Sequence, residues 1–216
     1  MLNRRQFVLN SATVAGTLAV GGTSLLEMAC NSATALAETE KFEPIVINVI
    51  NLACVISSGL PVCGTMEQTI QNDYATVIDL WTKYLAMVTP TSTAWEGLNA
   101  AFNTFTQNTA EVFTLATGLN APEITAIVAS AEVLLSTIEA LFPVAPTGAS
   151  SARSARFVNR VAPLPTQIVH GKQVVNASAL QGWVSDYNLK LETAHKRYPQ
   201  AKVTKVKFHS KLFWVK

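Results

Sequence analysis

The chain has 216 residues, of which 49% are hydrophobic and 14% charged, and its formal net charge is +2 at pH 7. This composition is typical of a folded protein with a hydrophobic core and excludes a largely disordered one. The small net charge conceals a division: residues 38–146 carry 2 Lys and 11 Asp or Glu, a net charge of −9, whereas residues 147–216 carry 12 Lys or Arg and 2 Asp or Glu, a net charge of +10. Such an asymmetry indicates an anionic partner for the basic part, either the acidic part of the same chain or an external molecule.

The first 37 residues have the organisation of an export signal. Arg4 and Arg5 precede an uncharged, mildly apolar run from Phe7 to Leu26, and the small residues Ala35 and Ala37 flank Leu36. A basic region, an apolar region and a small-residue cleavage site in this order are typical of a segment that signal peptidase removes. We therefore expect the mature chain to begin at Glu38.

The arginine pair resembles the bacterial twin-arginine (Tat) motif, with Phe7 two residues after Arg5 and with Asn3 where Ser or Thr is commoner. The Gly- and Thr-rich apolar run is also similar to Tat signals, which are weakly hydrophobic. The resemblance implies recognition by the Tat export machinery, export of an already folded protein, and a periplasmic or cell-envelope location. Lipid attachment at Cys30 is the alternative, but Glu27 stands where a lipoprotein signal has an aliphatic residue.

Removal of the signal leaves two cysteines, Cys54 and Cys63, in a chain bound for an oxidising compartment. Thiols in such compartments commonly pair. Gly59 and Pro61 lie between the two cysteines, so the chain can double back. We therefore predict a Cys54–Cys63 disulfide.

The first mature helix is predicted from the aliphatic run between Pro44 and Ile56. The segment Ile45–Val62 carries no charge and approaches the length of a membrane span. Asn48 and Asn51 lower its hydrophobicity, so a central helix buried in the protein is favoured over a membrane-inserting one. Burial requires hydrogen-bond partners for these asparagines, or a position at the rim of the core.

Three further helices are predicted from capping signals and prolines. Capping boxes at Thr65-x-x-Gln68 and Thr93-x-x-Glu96 indicate the starts of the second and third helices, and Pro90 lies between them. Gly118 is expected to terminate the third helix, and Pro122 to occupy the first turn of the fourth.

Each of these helices has one apolar stripe at three- and four-residue steps. The stripes are Met66, Ile70, Tyr74, Val77, Ile78, Trp81, Leu85 and Val88; Trp95, Leu98, Phe102, Phe105, Val112 and Ala116 with Thr109 between them; and Ile124, Ile127, Val128, Ala131, Leu134, Leu135, Ile138 and Leu141. Short connections favour antiparallel neighbours. We therefore predict a mainly α protein, with an antiparallel four-helix bundle over residues 38–142.

Beyond this bundle the composition changes. Residues 143–166 are rich in Pro, Ser, Ala and Arg and are interpreted as a linker. Residues 167–216 are predicted to form a small basic α+β unit, with a fifth helix capped by Ser178-x-x-Gln181 and ended by Pro199. Its apolar stripe comprises Leu180, Trp183, Val184, Tyr187, Leu191, Ala194 and Tyr198. A hairpin over Ile168–Val175 and a terminal strand with alternating apolar and basic residues over Lys205–Trp214 complete the unit.

The sequence contains none of the motifs that would indicate covalent haem attachment, a nucleophile elbow or a phosphate-binding loop. Glu192-x-x-His195 is a single match to a pattern that di-iron bundles need on two helices. We therefore assign no catalytic residue, no metal ligand and no cofactor, and we expect a non-enzymatic protein.

The favoured hypothesis is an exported binding or structural protein whose basic unit contacts an anionic envelope surface, lipid or partner. The candidate contact residues are Lys202, Lys205, Lys207 and Lys211, with linker arginines Arg153, Arg156 and Arg160 before them. An external partner is slightly favoured, because the linker composition suggests separation of the two units. Sequence-specific nucleic-acid binding is not expected. The alternatives are a Tat-exported enzyme or cofactor-binding protein with an unrecognised site, and a membrane-active helical bundle.

Overall fold

The computed structural model describes residues 42–57, 63–143, 145–146, 161–169 and 172–207. The described part is mainly helical, as predicted. Its elements in chain order are helix α1 over residues 42–56, α2 Cys63–Ala86, α3 Ser92–Gly118, α4 Pro122–Ala140, strands β1 Thr166–Val169 and β2 Lys172–Val175, and helix α5 Ala177–Arg197. Helices α2, α3, α4 and α5 pack each on the next along the chain.

Helix α1 belongs to the hydrophobic core. Its buried apolar side chains are Phe42, Ile45, Val46, Val49, Ile50, Leu52 and Ala53. This position agrees with the favoured interpretation of a central helix. No helix among the described residues is long and apolar enough to cross a membrane.

The apolar stripes predicted for α3, α4 and α5 lie in the core. Trp95 and Phe105 are fully buried, and Phe102 stacks on Phe142 with ring centroids 4.5 Å apart. The indole N–H of Trp95 donates to the carbonyl oxygen of Pro143 at 3.0 Å, which satisfies its polar group inside the core. The prediction for α2 is wrong at its end, because Val88 lies beyond the helix and is 88% exposed.

The predicted helix starts were misplaced by about two residues. Thr91, not Thr93, caps α3 and accepts the N–H of Ala94, and Asn176, not Ser178, caps α5 and accepts the N–H of Ala179. Thr65 lies inside α2, which begins at Cys63. In each case the predicted capping box lies within the first turn of the helix. A Ser or Thr three residues before Glu or Gln matches the sequence pattern there without being the cap.

Helix α3 ends at Gly118 as predicted, but the left-handed conformation occurs two residues later, at Asn120 with φ 53°. Asparagine tolerates this conformation better than most residues, since its short amide can bond locally. Here the Asn120 amide donates to the carbonyl of Gly118 at 3.3 Å. Pro122 follows in the first turn of α4, as predicted.

Strands β1 and β2 form the predicted hairpin, antiparallel with Thr166 opposite Val175 and Val169 opposite Lys172. The N–H of Asn176 donates to the carbonyl of Pro165, which extends the pairing to the start of α5. The predicted terminal strand is not formed in its described part, because residues 202–207 join no sheet. The rest of that strand lies outside the described residues.

The boundary region between the predicted units is partly docked. Leu164 is buried, and its N–H donates to the hydroxyl of Thr137 on α4 at 2.8 Å. Side chains of α5 and of residues 201–206 belong to the same hydrophobic core as α1–α4. The expectation that the linker separates two independent units is therefore wrong for its described part. Arg153, Arg156 and Arg160 lie outside the described residues.

Candidate functional site

The candidate site is residues 201–207, here called the C-terminal segment, together with the helix side chains that hold it. Asn48 of α1 is 1% exposed and makes three hydrogen bonds. Its amide nitrogen donates to the Tyr187 hydroxyl at 3.0 Å and to the Thr204 carbonyl at 2.8 Å, and its amide oxygen accepts the Thr204 N–H at 2.7 Å. These are the partners that burial of this asparagine requires.

A second asparagine repeats this arrangement two residues further along the segment. The amide nitrogen of Asn188, on α5, donates to the Val206 carbonyl at 2.8 Å, and its amide oxygen accepts the Val206 N–H at 3.0 Å. Asn51 of α1 adds a bond to the Lys202 carbonyl at 3.0 Å. The segment is thus held mainly through its backbone, with Ala201 and Val206 as its buried apolar side chains.

Tyr187 of α5 connects α5 to α1 beneath the C-terminal segment. Its ring is buried and stacks on Trp183 at 5.4 Å, and its hydroxyl accepts the bond from Asn48. Burial raises the pKa of Tyr187 because the phenolate would lose its hydration, and the bond from Asn48 opposes part of that change. The hydroxyl therefore stays neutral and serves as a fixed acceptor.

The lysine side chains of the segment face solvent. Lys202, Lys205 and Lys207 are all exposed. Lys205 forms an ion pair with Glu192 of α5, and the hydrogen bond from Lys205 holds the pKa of Glu192 below its usual value. Within the described part of the chain, Lys202 and Lys207 form no ion pair. The fourth predicted lysine, Lys211, lies outside the described residues.

Helix α5 is joined to α4, in the acidic part of the chain, by an ion pair between the helices. Arg197, in the last turn of α5, pairs with Glu123 in the first turn of α4. A backbone hydrogen bond and then the bond from Arg197 lower the pKa of Glu123. The indole N–H of Trp183 also donates to the Ser130 carbonyl at 3.0 Å. Helix α5 is thus docked on α4, while Lys202 and Lys207 of the C-terminal segment are directed to solvent.

The contact between Lys190 and Ser130 has the spacing of a nucleophile and its base, with Nζ 2.8 Å from Oγ. Ser130 is buried, however, and its hydroxyl also donates to the Ala126 carbonyl at 3.2 Å. Lys190 is paired with Asp186 at 2.6 Å. This cluster presents no accessible nucleophile and ties α5 to α4.

The cysteines predicted to pair are brought together. The Sγ atoms of Cys54 and Cys63 are at bonding distance, and their Cα atoms are 6.1 Å apart. This geometry is compatible with the predicted disulfide between the end of α1 and the start of α2. Arg4, Arg5, Phe7, Ala35 and Ala37 of the predicted signal lie outside the described residues.

Chemistry-bearing side chains do not gather elsewhere in the described residues. No group of three or more His, Cys, Asp or Glu side chains there could hold a metal ion. His195 is exposed, and its neighbour in the Glu-x-x-His pattern, Glu192, is engaged by Lys205.

Two features were missed by the sequence analysis. Asn188 was not singled out. It directly follows Tyr187, which belongs to the apolar stripe of α5, and an amide beside that stripe can reach another element. Glu139 was also not singled out, and its Oε2 is buried without a hydrogen-bond partner. Burial raises the pKa of Glu139 to about 7. The apolar residues around it in sequence, Ile138 and Leu141, were the available signal.

Comparisons of the chain with family models, with curated proteins and with solved structures found no match.

Proposed function

We propose that this protein is an exported, non-enzymatic binding or structural protein of the bacterial cell envelope, and that its C-terminal segment contacts an anionic partner. The observation that carries the proposal is the display of Lys202, Lys205 and Lys207 on a backbone fixed by Asn48 and Asn188. Charges held on an ordered backbone lose little conformational freedom on binding, which favours recognition of a partner.

The proposed architecture is an antiparallel four-helix bundle of α1–α4 to which α5 and the C-terminal segment are attached. Contacts between α2 and α3 support it, because Asp73 accepts a hydrogen bond from Asn108 while Trp81 contacts Phe102. The contact that lies later in α2, at Trp81, lies earlier in α3, at Phe102, which is the arrangement of antiparallel helices. The connection between α3 and α4 is also short, residues 119–121.

Export by the Tat route is part of the proposal and is supported by the arginine pair and by the weakly hydrophobic run that follows it. Replacement of both Arg4 and Arg5 by Lys is expected to retain the precursor in the cytoplasm, since Tat signals require the arginines. Cell fractionation and mass spectrometry of the mature N-terminus measure this outcome. Unchanged export of the double variant would contradict the Tat assignment while leaving the binding proposal standing.

Binding is tested with purified mature chain and a long-chain inorganic polyphosphate, measured across a salt series. We expect binding that weakens steeply with salt, because contacts between exposed charges are screened over about 10 Å at 0.1 M salt. Replacement of Lys202 and Lys207 by Gln is expected to weaken binding and to reduce the salt dependence. Lys83→Gln is the matched control, since Lys83 is an exposed lysine on α2 already paired with Asp79.

Two outcomes would contradict the binding proposal. One is salt-insensitive binding or none, and the other is equal loss of binding in the control and in the double variant.

A further inference from the structure

The C-terminal segment has two backbone edges, and asparagine side chains bond to one of them. Its bonds to asparagines all come from even-numbered residues: the carbonyl of Lys202, and both the N–H and the carbonyl of Thr204 and of Val206. One carboxamide can reach the N–H and the carbonyl of a single residue only if both point the same way, as they do in an extended chain. In an extended chain the intervening residues direct their backbone groups to the opposite side.

The opposite edge has no hydrogen-bond partner among the described residues. The backbone groups of Val203 and Lys205 make no hydrogen bond to any other described residue. Val203 is half-buried and Lys205 is exposed. An open edge of an extended chain offers donors and acceptors at the spacing of a β-ladder, which is the basis of recognition by strand addition.

The charges beside this edge indicate the kind of strand that fits. Lys202, Lys205 and Lys207 flank it, and Glu192 pairs with Lys205. A second copy of the same segment would bring its own three lysines close to these lysines, and like charges close together destabilise a pair of strands. A strand that carries carboxylates has the complementary charge.

We propose that the open edge at Val203 and Lys205 binds an extended acidic peptide as an added strand. The backbone groups of these two residues pair with the peptide backbone, and the lysines pair with its carboxylates. This inference rests on the proposed function, and it specifies the anionic partner as a protein segment rather than a lipid surface or a polyphosphate.

The test uses the mature full-length chain and a fluorescent octapeptide of four Glu-Val repeats, with binding followed by anisotropy at low salt. The control is the same octapeptide methylated at every peptide nitrogen, which keeps the four carboxylates but removes the donors. Loss of one hydrogen bond lowers affinity about fivefold, so loss of the two that Val203 and Lys205 accept is expected to lower it about 25-fold. Equal affinity for the two peptides would refute the inference.

Amide hydrogen exchange locates the contact. We expect the octapeptide to protect the N–H groups of Val203 and Lys205, and to leave those of Thr204 and Val206, already bonded to asparagines, with little change. Protection elsewhere with none at Val203 and Lys205 would also refute strand addition.

Two variants at Lys205 distinguish the contribution of its charge to octapeptide affinity from that of its backbone N–H. Lys205→Gln removes the charge and keeps the N–H, whereas Lys205→Pro removes both. Strand addition predicts a loss of affinity at least fivefold greater for the proline variant, with amide exchange at Thr204 confirming that the segment stays docked. If polyphosphate or anionic vesicles bind and neither octapeptide does, the strand inference fails and the proposed function stands. If nothing anionic binds, both fail.

Discussion

The attachment of the C-terminal segment depends most on Asn48, and Asn48→Ala is therefore the most informative perturbation. The substitution removes three hydrogen bonds: one to the Tyr187 hydroxyl, and two to the backbone of Thr204. Tyr187 is fully buried, so its hydroxyl would lose a donor that water cannot replace, at a cost of about 1–3 kcal/mol.

The bonds to Thr204 are worth less, because this residue is exposed and water can replace part of the interaction. At about 0.5 kcal/mol each they bring the expected loss to about 2–4 kcal/mol. That is a large fraction of the stability of a typical domain. The measurement is urea unfolding of the mature chain, with the slope checked for unchanged cooperativity.

Asn51→Ala is the matched control. Asn51 lies on the same helix one turn away and makes one exposed bond, to the Lys202 carbonyl, so its loss is expected to cost no more than about 1 kcal/mol. If Asn48→Ala lowers the free energy of unfolding no more than this control does, Asn48 does not hold the segment in the way described. The proposal that an ordered backbone presents the lysines would then be contradicted.

Three further predictions follow from the described contacts. Glu139→Gln is expected to leave stability unchanged near pH 4, because the folded pKa of about 7 and the ordinary value of 4.5 both lie above that pH. At pH 8 the partly buried carboxylate must ionise, so the substitution is expected to stabilise the fold by about 1–2 kcal/mol. Unfolding curves at the two pH values test this, and equal effects at both would contradict it. Thiol labelling of non-reduced exported protein should find Cys54 and Cys63 unreactive, and their replacement by Ala should cost about 2–3 kcal/mol; two labelled thiols per chain would exclude the disulfide. Trp95→Phe should destabilise by about 1–3 kcal/mol because the carbonyl of Pro143 loses its buried donor, and thermal melts that match the parent protein would count against that bond.

The helices and most of their buried faces were predictable from the sequence, because both depend on short-range periodicity. Trp95 and Phe105 recur on one stripe of α3, and burial of that stripe needs only a neighbouring helix. The helix starts were less predictable, since Thr91 and Asn176 cap through single side-chain bonds that nearby Thr93 and Ser178 imitate in sequence.

The docking of the C-terminal segment could not be predicted, because it joins residues far apart in the chain. The alternation from Lys205 to Trp214 predicted a strand, but residues 205–207 join no sheet, and alternation alone does not say what a segment pairs with. The partners are carboxamides on α1 and α5 rather than another strand. The requirement that Asn48 be satisfied was foreseen, whereas the identity of its partners depends on tertiary packing.

The bond between Asn48 and Thr204 spans 156 positions of sequence, and this has a consequence for biosynthesis. Chains are made from the N-terminus at about 5–20 residues per second, so α1 waits roughly 8–30 seconds for the residues that complete its hydrogen bonds. During this interval the amide of Asn48 is unsatisfied or hydrated, and the surface that Ala201 and Val206 later cover stays exposed. A chain whose synthesis ends before Thr204 therefore has an α1 that is incompletely buried. For a protein exported only after folding, as proposed here, this late contact would distinguish finished chains from unfinished ones before they reach the membrane.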